Sequence, residues 1–561
     1  MSWLYGYFAK EHEPQAPILR GYDYCFESRH LKLYAGGTRN IRVFDSPAAP
    51  NDKIFILGDP ILRQGEDFRY PELADWAQLL QNESRLNTLD GHYLILIASE
   101  NGIRAYNDPL CKRSLWIHKG KDNYFFCSEI ALLKEAKRAE LDLKRFGAYW
   151  HSLFPAHKRH YTVSTQSYFK DTDMLYQSGS LRLTKDEYTL HHRLFKVPDE
   201  KLDIHNLLKN MTLLPLKAGK KLTVGLTGGM DIRALSAIYL GSGLGFSTAH
   251  FGDDSTRDFA LAREIAAYFK LPFRHISLAE ATGGWEQVQE YIYTRGFGFN
   301  PASSRLMAYF PILGQESEVF VSGCFGELYR FRFMAAHIKS IFSLKRPDYH
   351  SFFNYLYLQP PSCFIPEVNK ALYEGFREEL AEGVKSLPPA SSMPAPMWMN
   401  LLLTRFCPHT MYMPDLCYID HHILDFMPYL QPSLAGQHWH YGYGNQLNEG
   451  LHRHTIKRNA PELSRFDLAI VDSSASYHLR PIPMKLISLL KQRRKPGQNP
   501  NLLFLKHYER EIRGLAQSQS IKQDAWIDHT VLTQHLEECY RHNPISQQAI
   551  LAFVSYALGK E

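Results

Sequence analysis

The residues best suited to chemistry form one short segment, Val224-Gly225-Leu226-Thr227-Gly228-Gly229-Met230-Asp231-Ile232-Arg233. An apolar run ends in two glycines, which let the backbone approach a ligand closely, and a helical pattern begins directly after them. The first N–H groups of a helix favour an anion such as phosphate. Thr227 adds a hydroxyl donor, and Asp231 could hold magnesium against phosphates. The segment therefore predicts a phosphate-binding loop, and the plainer alternative is a glycine-rich turn with one acidic residue.

Such a loop must follow a strand, and the surrounding pattern supplies one. Short apolar runs over 222–226, 246–251 and 273–278 alternate with helical patterns over 231–240 and 258–269. This alternation predicts a doubly wound parallel sheet, whose ligands bind at the carboxyl ends of the strands. From about residue 303 to 561 the pattern is mainly helical.

The first 180 or so residues have a different pattern, of short β-rich runs bounded by turn residues. Such runs occupy 54–57, 93–97 and 124–126, and a helix is predicted over 75–86. Because a chain of 561 residues exceeds the usual size of one domain, we predict two domains, residues 1–195 and 200–561.

Composition excludes several classes of protein. The net charge of +6 is small for this length and does not require a nucleic-acid partner. No apolar run approaches the ~18 residues of a membrane helix, so no membrane partner is expected. The eight cysteines are irregularly spaced and form no CxxC pair, which argues against a disulfide framework or a zinc site. The first residues do not form a signal peptide, and a cytoplasmic location is expected.

The glycine-rich loop resembles the Ser-Gly-Gly-x-Asp-Ser pyrophosphate loop of the asparagine synthetase family, and further blocks follow in the family's order. Residues 255–266 resemble its next helix, 322–329 its Gly-Gly-Asp-Glu-Leu-Phe loop, and 417–424 its Pro-Phe-Leu-Asp block. Earlier blocks, at 89–93, at 104–110 with 115–116, and at 126–133, resemble its glutamine-hydrolysing domain. The resemblance is collinear from about residue 1 to 465.

The resemblance implies a fold and a chemistry. The fold would be an α+β N-terminal domain, a degenerate Ntn-hydrolase or glutaminase-like β-sandwich. It would be followed by an α/β doubly wound parallel sheet of the PP-loop, adenine nucleotide alpha hydrolase-like type, with added helices. The enzyme would use ATP and Mg²⁺ to adenylate a carboxylate, release pyrophosphate and form an amide. Implied cofactor-binding residues are Leu226, Thr227, Gly228, Gly229, Asp231, Arg233, Phe251, Asp258 and Gly323. Implied catalytic residues are Asp231, Glu327, Tyr329, Asp415 and Lys457, with Asp231 and Glu327 as metal ligands.

The N-terminal part departs from the family at its nucleophile. The glutamine-using members carry cysteine where this chain has Ser2, and a serine hydroxyl is a far weaker nucleophile unless a base activates it. The family's Asn-Gly-Glu segment would fall near 57–60, where asparagine is absent. We therefore expect no glutaminase activity and a domain retained as a scaffold.

The synthetase part departs as well. Ile232 replaces the loop's last serine, and Gly326 stands at the family's aspartate position, which leaves Glu327 as the nearest carboxylate. Met413 stands at a conserved glutamate of the family, with Tyr412 and Asp415 nearby. The late Lys-x-x-Phe segment has no clear counterpart, so the cations to test are Lys457, Arg458 and Lys485.

Three functions remain open. Because the chain holds no ammonia source, the simplest acceptor is an amine on the substrate itself. A peptide or small-molecule carboxylate would then be joined to its own amine, as in lasso-peptide cyclases, which form macrolactams, and in β-lactam synthetases. A precursor peptide and its leader-processing proteins would be the partners. The second function is amidation of an amino acid or sugar acid by free ammonia, and the third is non-catalytic nucleotide binding.

Overall fold

The computed structural model describes residues 2–14, 16–37, 39–152, 164–196, 199–281, 283–297, 300–330, 362–393, 395–407, 413–470, 473–479, 500–541 and 543–560. The protein is a mixed α/β protein with antiparallel sheets and a parallel sheet. Two of the candidate residues named above, Tyr412 and Lys485, lie outside the described residues.

The first part of the chain forms two antiparallel sheets, in the orders β11-β9-β10-β1-β3-β2 and β13-β12-β8-β7-β5-β4, with β6 paired to β5. The strands are β1 (Trp3–Ala9), β2 (Tyr24–Glu27), β3 (Leu31–Gly36), β4 (Ile41–Asp45), β5 (Lys53–Gln64), β6 (Asp67–Arg69), β7 (Asp90–Ser99), β8 (Gly102–Asn107), β9 (Trp116–Lys119), β10 (Asn123–Cys127), β11 (Thr172–Met174), β12 (Ser180–Thr184) and β13 (Tyr188–His191).

Alternation along β7 explains why these sheets pack face to face. Successive side chains of a strand point to opposite faces. Leu94 and Leu96 belong to a core that also contains Phe8 of the other sheet. Ile95, on the opposite face, packs in a second core with Trp76 of the helix Leu73–Gln81. The strand is thus buried on both sides, and the sandwich core lies between the two sheets.

The second part of the chain is built on a parallel sheet, as the alternating pattern predicted. Its order is β16-β15-β14-β17-β18. The strand order reverses between β14 and β17, and such a switch point is where open α/β sheets bind ligands. The strands are β14 (Leu222–Gly225), β15 (Ser247–Phe251), β16 (Phe273–Ile276), β17 (Val319–Val321) and β18 (Leu424–Phe426), and β19 (Leu468–Ile470) and β20 (Ser473–Ala475) form a separate hairpin.

Helices surround the parallel sheet and fill the later part of the chain. Those described after β13 are Ile204–Lys217, Met230–Ser242, Arg257–Tyr268, Leu278–Ala281, Trp285–Arg295, Ser304–Met307, Tyr309–Glu316, Pro366–Lys385, Ala395–Cys407, Met413–Asp420, Pro432–Gln437, Tyr443–Leu447, Gly450–Asn459, Pro500–His507, Glu509–Ala516, Gln519–Lys522, His529–Glu538 and Pro544–Lys560. Earlier helices are Leu73–Gln81, Ile130–Glu135 and Leu143–Ser152. Among the described residues, no helix has the length and apolarity needed to cross a bilayer.

The structure shortens one predicted helix and shows a core that crosses the predicted domain boundary. The helix predicted over 75–86 ends at Gln81, because Asn82 leaves helical geometry (φ −135°), and a 3-10 turn over Glu83–Thr88 follows. The division at 195–200 stays a prediction. One hydrophobic cluster contains Tyr5 before that boundary and Leu207 after it, so the core is continuous across the two parts.

Candidate functional site

The predicted phosphate loop joins β14 to the helix Met230–Ser242, at the switch point of the parallel sheet. Gly229 is the N-cap of this helix, with extended backbone angles (φ −75°, ψ 161°). Asp231 lies in its first turn, where a carboxylate interacts favourably with the helix dipole. The loop therefore has the location that the sequence predicted for it.

Amide groups of the loop are partly engaged within the protein. The N–H of Gly228 donates to Oδ1 of Asp258 at 2.7 Å, and the N–H of Gly229 donates to Oγ1 of Thr227 at 3.2 Å. A Cβ atom at Gly228 would lie 2.8 Å from Cβ of Ala469, so the glycine is required by packing. Asp258 thus supports the loop in this structure, and direct ligand binding by Asp258, Gly228 and Gly229 remains a prediction.

Arg233 supports the loop from the side of the core. Its fully buried guanidinium donates to the carbonyl oxygens of Gly228 (3.1 Å), Phe466 (2.7 Å) and Asp467 (2.6 Å). Burial lowers the pKa of Arg233 to about 10, which still leaves the group charged at neutral pH. Leu226 is equally buried in the core. Both side chains lie beneath the loop, and the cofactor contacts predicted for them remain predictions.

A second loop, over 322–329, follows β17 and packs directly on Asp231. A Cβ atom at Gly326 would lie 2.4 Å from Oδ1 of Asp231, and one at Gly323 would lie 3.2 Å from its Cβ. Phe325 has a φ of 66°, which is rare for a bulky residue and costs about 1–3 kcal/mol. The two glycines therefore let the two loops meet, and the carboxylate of Asp231 fills the space beside Gly326.

The side chain of Asp231 belongs to a cluster of buried or half-buried polar residues, which we call the Asp231 cluster: Asp231, Glu327, Arg330, Glu449 and His452. Nη2 of Arg330 forms an ion pair with Oδ2 of Asp231, and Nη1 of Arg330 lies 3.5 Å from Oε1 of Glu449. Nε2 of His452 lies 2.9 Å from Oδ1 of Asp231. Both oxygens of Asp231 thus have close polar contacts.

Electrostatics separate the roles of the two basic residues. Burial tends to lower the pKa of Arg330, but the carboxylates of Asp231, Glu327 and Glu449 raise it above its ordinary value. Burial lowers the pKa of His452 more than Asp231 raises it, so the imidazole is neutral at neutral pH. Arg330 is therefore the cation that balances Asp231. The magnesium site predicted at Asp231 and Glu327 does not fit this donor set, because a guanidinium already pairs with the first carboxylate.

Two tyrosines complete the wall behind the cluster. The hydroxyl of Tyr429 donates to the carbonyl oxygen of Asp231 at 3.0 Å, and the hydroxyl of Tyr329 donates to the carbonyl oxygen of Tyr429 at 2.9 Å. Tyr329 is fully buried, and burial raises its pKa well above the ordinary value. The hydroxyl of Tyr329 is thus engaged by the backbone, and its catalytic role remains a prediction.

Of the remaining predicted catalytic residues, Asp415 contacts another part of the molecule and Lys457 is exposed. Oδ1 of Asp415 accepts a hydrogen bond from the hydroxyl of Tyr291 at 2.6 Å and lies 3.1 Å from Nη2 of Arg295. Lys457 is exposed on the helix Gly450–Asn459, whereas His452 on the same helix is buried. Five residues correspond to about 140° around a helix, so the two side chains point to different sides.

Phe251, predicted to bind the cofactor, ends the strand β15 beside the loop. Its half-buried ring stacks on Tyr309 with ring centroids 5.1 Å apart and planes inclined by 17°. An aromatic surface thus lies at the carboxyl edge of the sheet, and its use by a nucleotide base remains a prediction.

Ser2 lines a cavity of about 100 Å³ between the sandwich and the later helices. Arg113 and Arg295 also line it, as do His421 and Glu129, whose Nε2 and Oε1 atoms are 3.1 Å apart. Within the described part of the chain, Oγ of Ser2 has no hydrogen-bond partner. The expected loss of glutaminase activity is not tested by this geometry.

Sequence reasoning missed Arg330, Glu449 and His452. Arg330 stands one residue beyond the quoted 322–329 block, and its position directly after a candidate metal-binding loop was the available signal. Glu449 and His452 belong to no motif. His452 reaches Asp231, and Glu449 reaches Arg330, because the helix Gly450–Asn459 packs against the helix Met230–Ser242.

Comparisons with known proteins leave the family open. No protein-family model matches the chain, and no curated protein matches it. One solved structure, "structure of the allosteric regulatory enzyme of purine biosynthesis", is similar at 11% identity over 49% of this chain and 74% of that chain, with a TM-score of 0.20. Another, glutamine phosphoribosylpyrophosphate amidotransferase from B. subtilis complexed with ADP and GMP, is similar at 12% identity over 48% of this chain, with a TM-score of 0.17. The chain spans 58% of that second protein's length.

Proposed function

We propose that this protein is an ATP-dependent ligase that adenylates a substrate carboxylate and transfers the acyl group to an amine. The observation that carries the proposal is the loop over 227–231. It follows the central strand β14, opens a helix and lies at the switch point of a parallel sheet. Helix N-termini at such positions favour the phosphate groups of nucleotides.

The proposed reaction has two steps. An oxygen of the substrate carboxylate attacks the α-phosphorus of ATP, a new P–O bond forms, and the bond to the β-phosphate breaks to release pyrophosphate. A neutral amine then attacks the acyl carbon of the adenylate, AMP leaves, and the amine loses a proton as the amide forms. Thr227 at the loop and Arg330 beside it are the groups proposed to meet the charge on the departing phosphates.

The substrate we propose is a peptide or small molecule that carries both the carboxylate and the amine, so that the product is a macrolactam or other cyclic amide. This proposal rests on the resemblance to lasso-peptide cyclases and β-lactam synthetases and on serine at position 2. Amidation of an amino acid or sugar acid by free ammonia is the alternative within the same chemistry. A cytoplasmic location and a precursor peptide with its processing proteins are proposed with the first substrate.

One structural observation favours a second function, the binding of a nucleotide without catalysis. The pairing of Asp231 with Arg330 gives the loop an internal counter-ion, and two of its amides are engaged by Thr227 and Asp258. A loop satisfied in this way is also expected of a protein that binds a nucleotide without turning it over.

Pyrophosphate release from ATP tests these functions. The full-length protein is assayed with small acids, ammonia and candidate precursor peptides, and Asp231→Asn is compared with the wild type. We expect release with one class of substrate and a loss of roughly 100-fold in the variant, because Arg330, a preorganised group proposed to meet the phosphate charge, loses the carboxylate that holds it.

The matched control is Glu264→Gln, an exposed carboxylate on the helix Arg257–Tyr268. This variant should release pyrophosphate at the wild-type rate. Binding of ATP without release in any assay would favour the non-catalytic function, and the absence of ATP binding would refute both.

A further inference from the structure

The pairing of Asp231 has a consequence for how a nucleotide binds. A divalent cation in a phosphate site is commonly held by one or two carboxylates together with the phosphates themselves. Here the carboxylate of Asp231, at the start of the helix, is already paired with the guanidinium of Arg330. That guanidinium is buried, because the Arg330 side chain is only 4% exposed. A metal ion and this guanidinium cannot both occupy the same side of Asp231.

The neighbouring loop removes the second place from which a metal could be held. Beside Gly326, the Oδ1 and Cγ atoms of Asp231 would lie 2.4 Å and 2.5 Å from any Cβ atom. Because those distances are below van der Waals contact, no side chain at position 326 could face the metal position unless Asp231 moved. The close approach of Asp231 thus explains why glycine, and not a metal-binding residue, occupies position 326.

The other contacts of Arg330 hold it in place. Its Nη1 atom faces Glu449, which is itself in an ion pair of 3.1 Å with Arg453. Glu449 has a φ of 56°, an uncommon conformation that directs the start of the helix Gly450–Asn459 toward this position. Among the described residues, the buried Nε of Arg330 has no hydrogen-bond partner, so one donor of the guanidinium is not engaged by a carboxylate.

We propose that Arg330 is the permanent counter-ion of Asp231 and takes the place of a protein-held metal ion, so that this loop binds the phosphates of a nucleotide without one. The inference rests on the proposed nucleotide function and specifies the role of Arg330 in it. A guanidinium can do this because it is always charged and donates in a fixed planar array that suits phosphate oxygens.

The first test needs no nucleotide. Mn²⁺ is titrated into the full-length wild type, Asp231→Asn, Arg330→Gln, Arg330→Lys and the double variant Arg330→Gln/Asp231→Asn, and bound ion is measured by electron paramagnetic resonance. We expect a new Mn²⁺ site in Arg330→Gln that disappears in the double variant, and no such site in the wild type or in Arg330→Lys. A wild-type site that is lost in Asp231→Asn would overturn the proposal, and that result does not depend on the stability of any Arg330 variant.

The second test uses ATP, measured by isothermal titration calorimetry with Mg²⁺ and with a chelator. We expect the wild-type Kd to agree between the two conditions within about threefold, and Arg330→Gln to lose at least about tenfold in affinity when the chelator is present. Wild-type binding that requires Mg²⁺ would overturn the inference while leaving the proposed function intact. If ATP binds in neither condition, the proposed function fails, and the Mn²⁺ titration still decides the role of Arg330.

Discussion

Nζ of Lys112 lies 2.9 Å from Oδ2 of Asp420, and both side chains are buried. Nη2 of Arg113 reaches the same oxygen at 2.9 Å. Lys112 and Arg113 follow β8 of the sandwich, whereas Asp420 ends the helix that precedes β18 of the parallel sheet. The two parts of the chain are therefore joined by a buried ionic contact as well as by their shared apolar core.

Breaking this contact should destabilise the whole molecule. In Lys112→Met, Asp420 keeps Arg113 but loses one of its two cations, and a buried ion pair that loses one partner costs about 3–5 kcal/mol. The free energy of unfolding, measured by urea denaturation, should fall by that order. The control is Lys144→Met, which removes an exposed pair of 3.1 Å with Glu378 and should change stability by about 1 kcal/mol or less. Equal effects of the two substitutions would show that the Lys112 contact is not important for stability.

Asp425 should make stability depend on pH. It is 1% exposed, and its Oδ2 atom is 3.9 Å from Nζ of Lys112. Burial, with a contribution from Asp420, raises its pKa to about 7 despite the opposing effect of Lys112. The folded state thus keeps a proton that the unfolded chain releases near pH 4, so this residue's contribution to stability is complete below that pH and is lost as pH rises through about 7.

Asp425→Asn removes this dependence. The free energy of unfolding of the variant, relative to that of the wild type, should therefore be higher at pH 8 than at pH 5. Asp420 provides a control of opposite sign, because Lys112 and Arg113 lower its pKa despite the effect of burial. The contribution of Asp420 is lost only as pH falls below its ordinary pKa of 3.8, so Asp420→Asn should lose more stability at pH 8 than at about pH 3. Urea denaturation at these pH values checks both signs, and parallel pH profiles for the two variants would contradict the assignment.

The sequence predicted the parallel sheet and the loop because both are local patterns. An apolar run, two glycines and a helical pattern lie within ten residues, so the pattern can be recognised from neighbouring residues alone. The strands β17 and β18 were missed because each has three residues within a mainly helical region. The partners of Asp231 were missed for a related reason, since His452 approaches it only through the packing of two helices that are far apart in the chain.

Arg233 should be needed to shape the loop even though it lies beneath it. Arg233→Met leaves the carbonyl groups of Gly228, Phe466 and Asp467 without their donor, and buried acceptors that lose a charged partner cost on the order of 3 kcal/mol. We expect lower stability and weaker ATP binding, measured by denaturation and calorimetry. Arg263→Met is the control: Arg263 is exposed beside Phe259, so its loss should change stability by about 1 kcal/mol or less and leave ATP binding unchanged.

Gly326 should tolerate no side chain, and the reason is contact with Asp231 rather than backbone conformation. In Gly326→Ala the new methyl group would lie 2.4 Å from Oδ1 of Asp231, which Arg330 and His452 hold from the other sides. Relief requires Asp231 to move, so we expect a loss of about 1–3 kcal/mol in stability and weaker ATP binding. Gly514→Ala is the matched substitution, because Gly514 is exposed within the helix Glu509–Ala516 and has no atom within 4 Å of an added Cβ. It should gain up to about 1 kcal/mol, as alanine is favoured over glycine in a helix. If Gly326→Ala instead matched Gly514→Ala in stability and bound ATP like the wild type, the close packing of the two loops around Asp231 would be refuted.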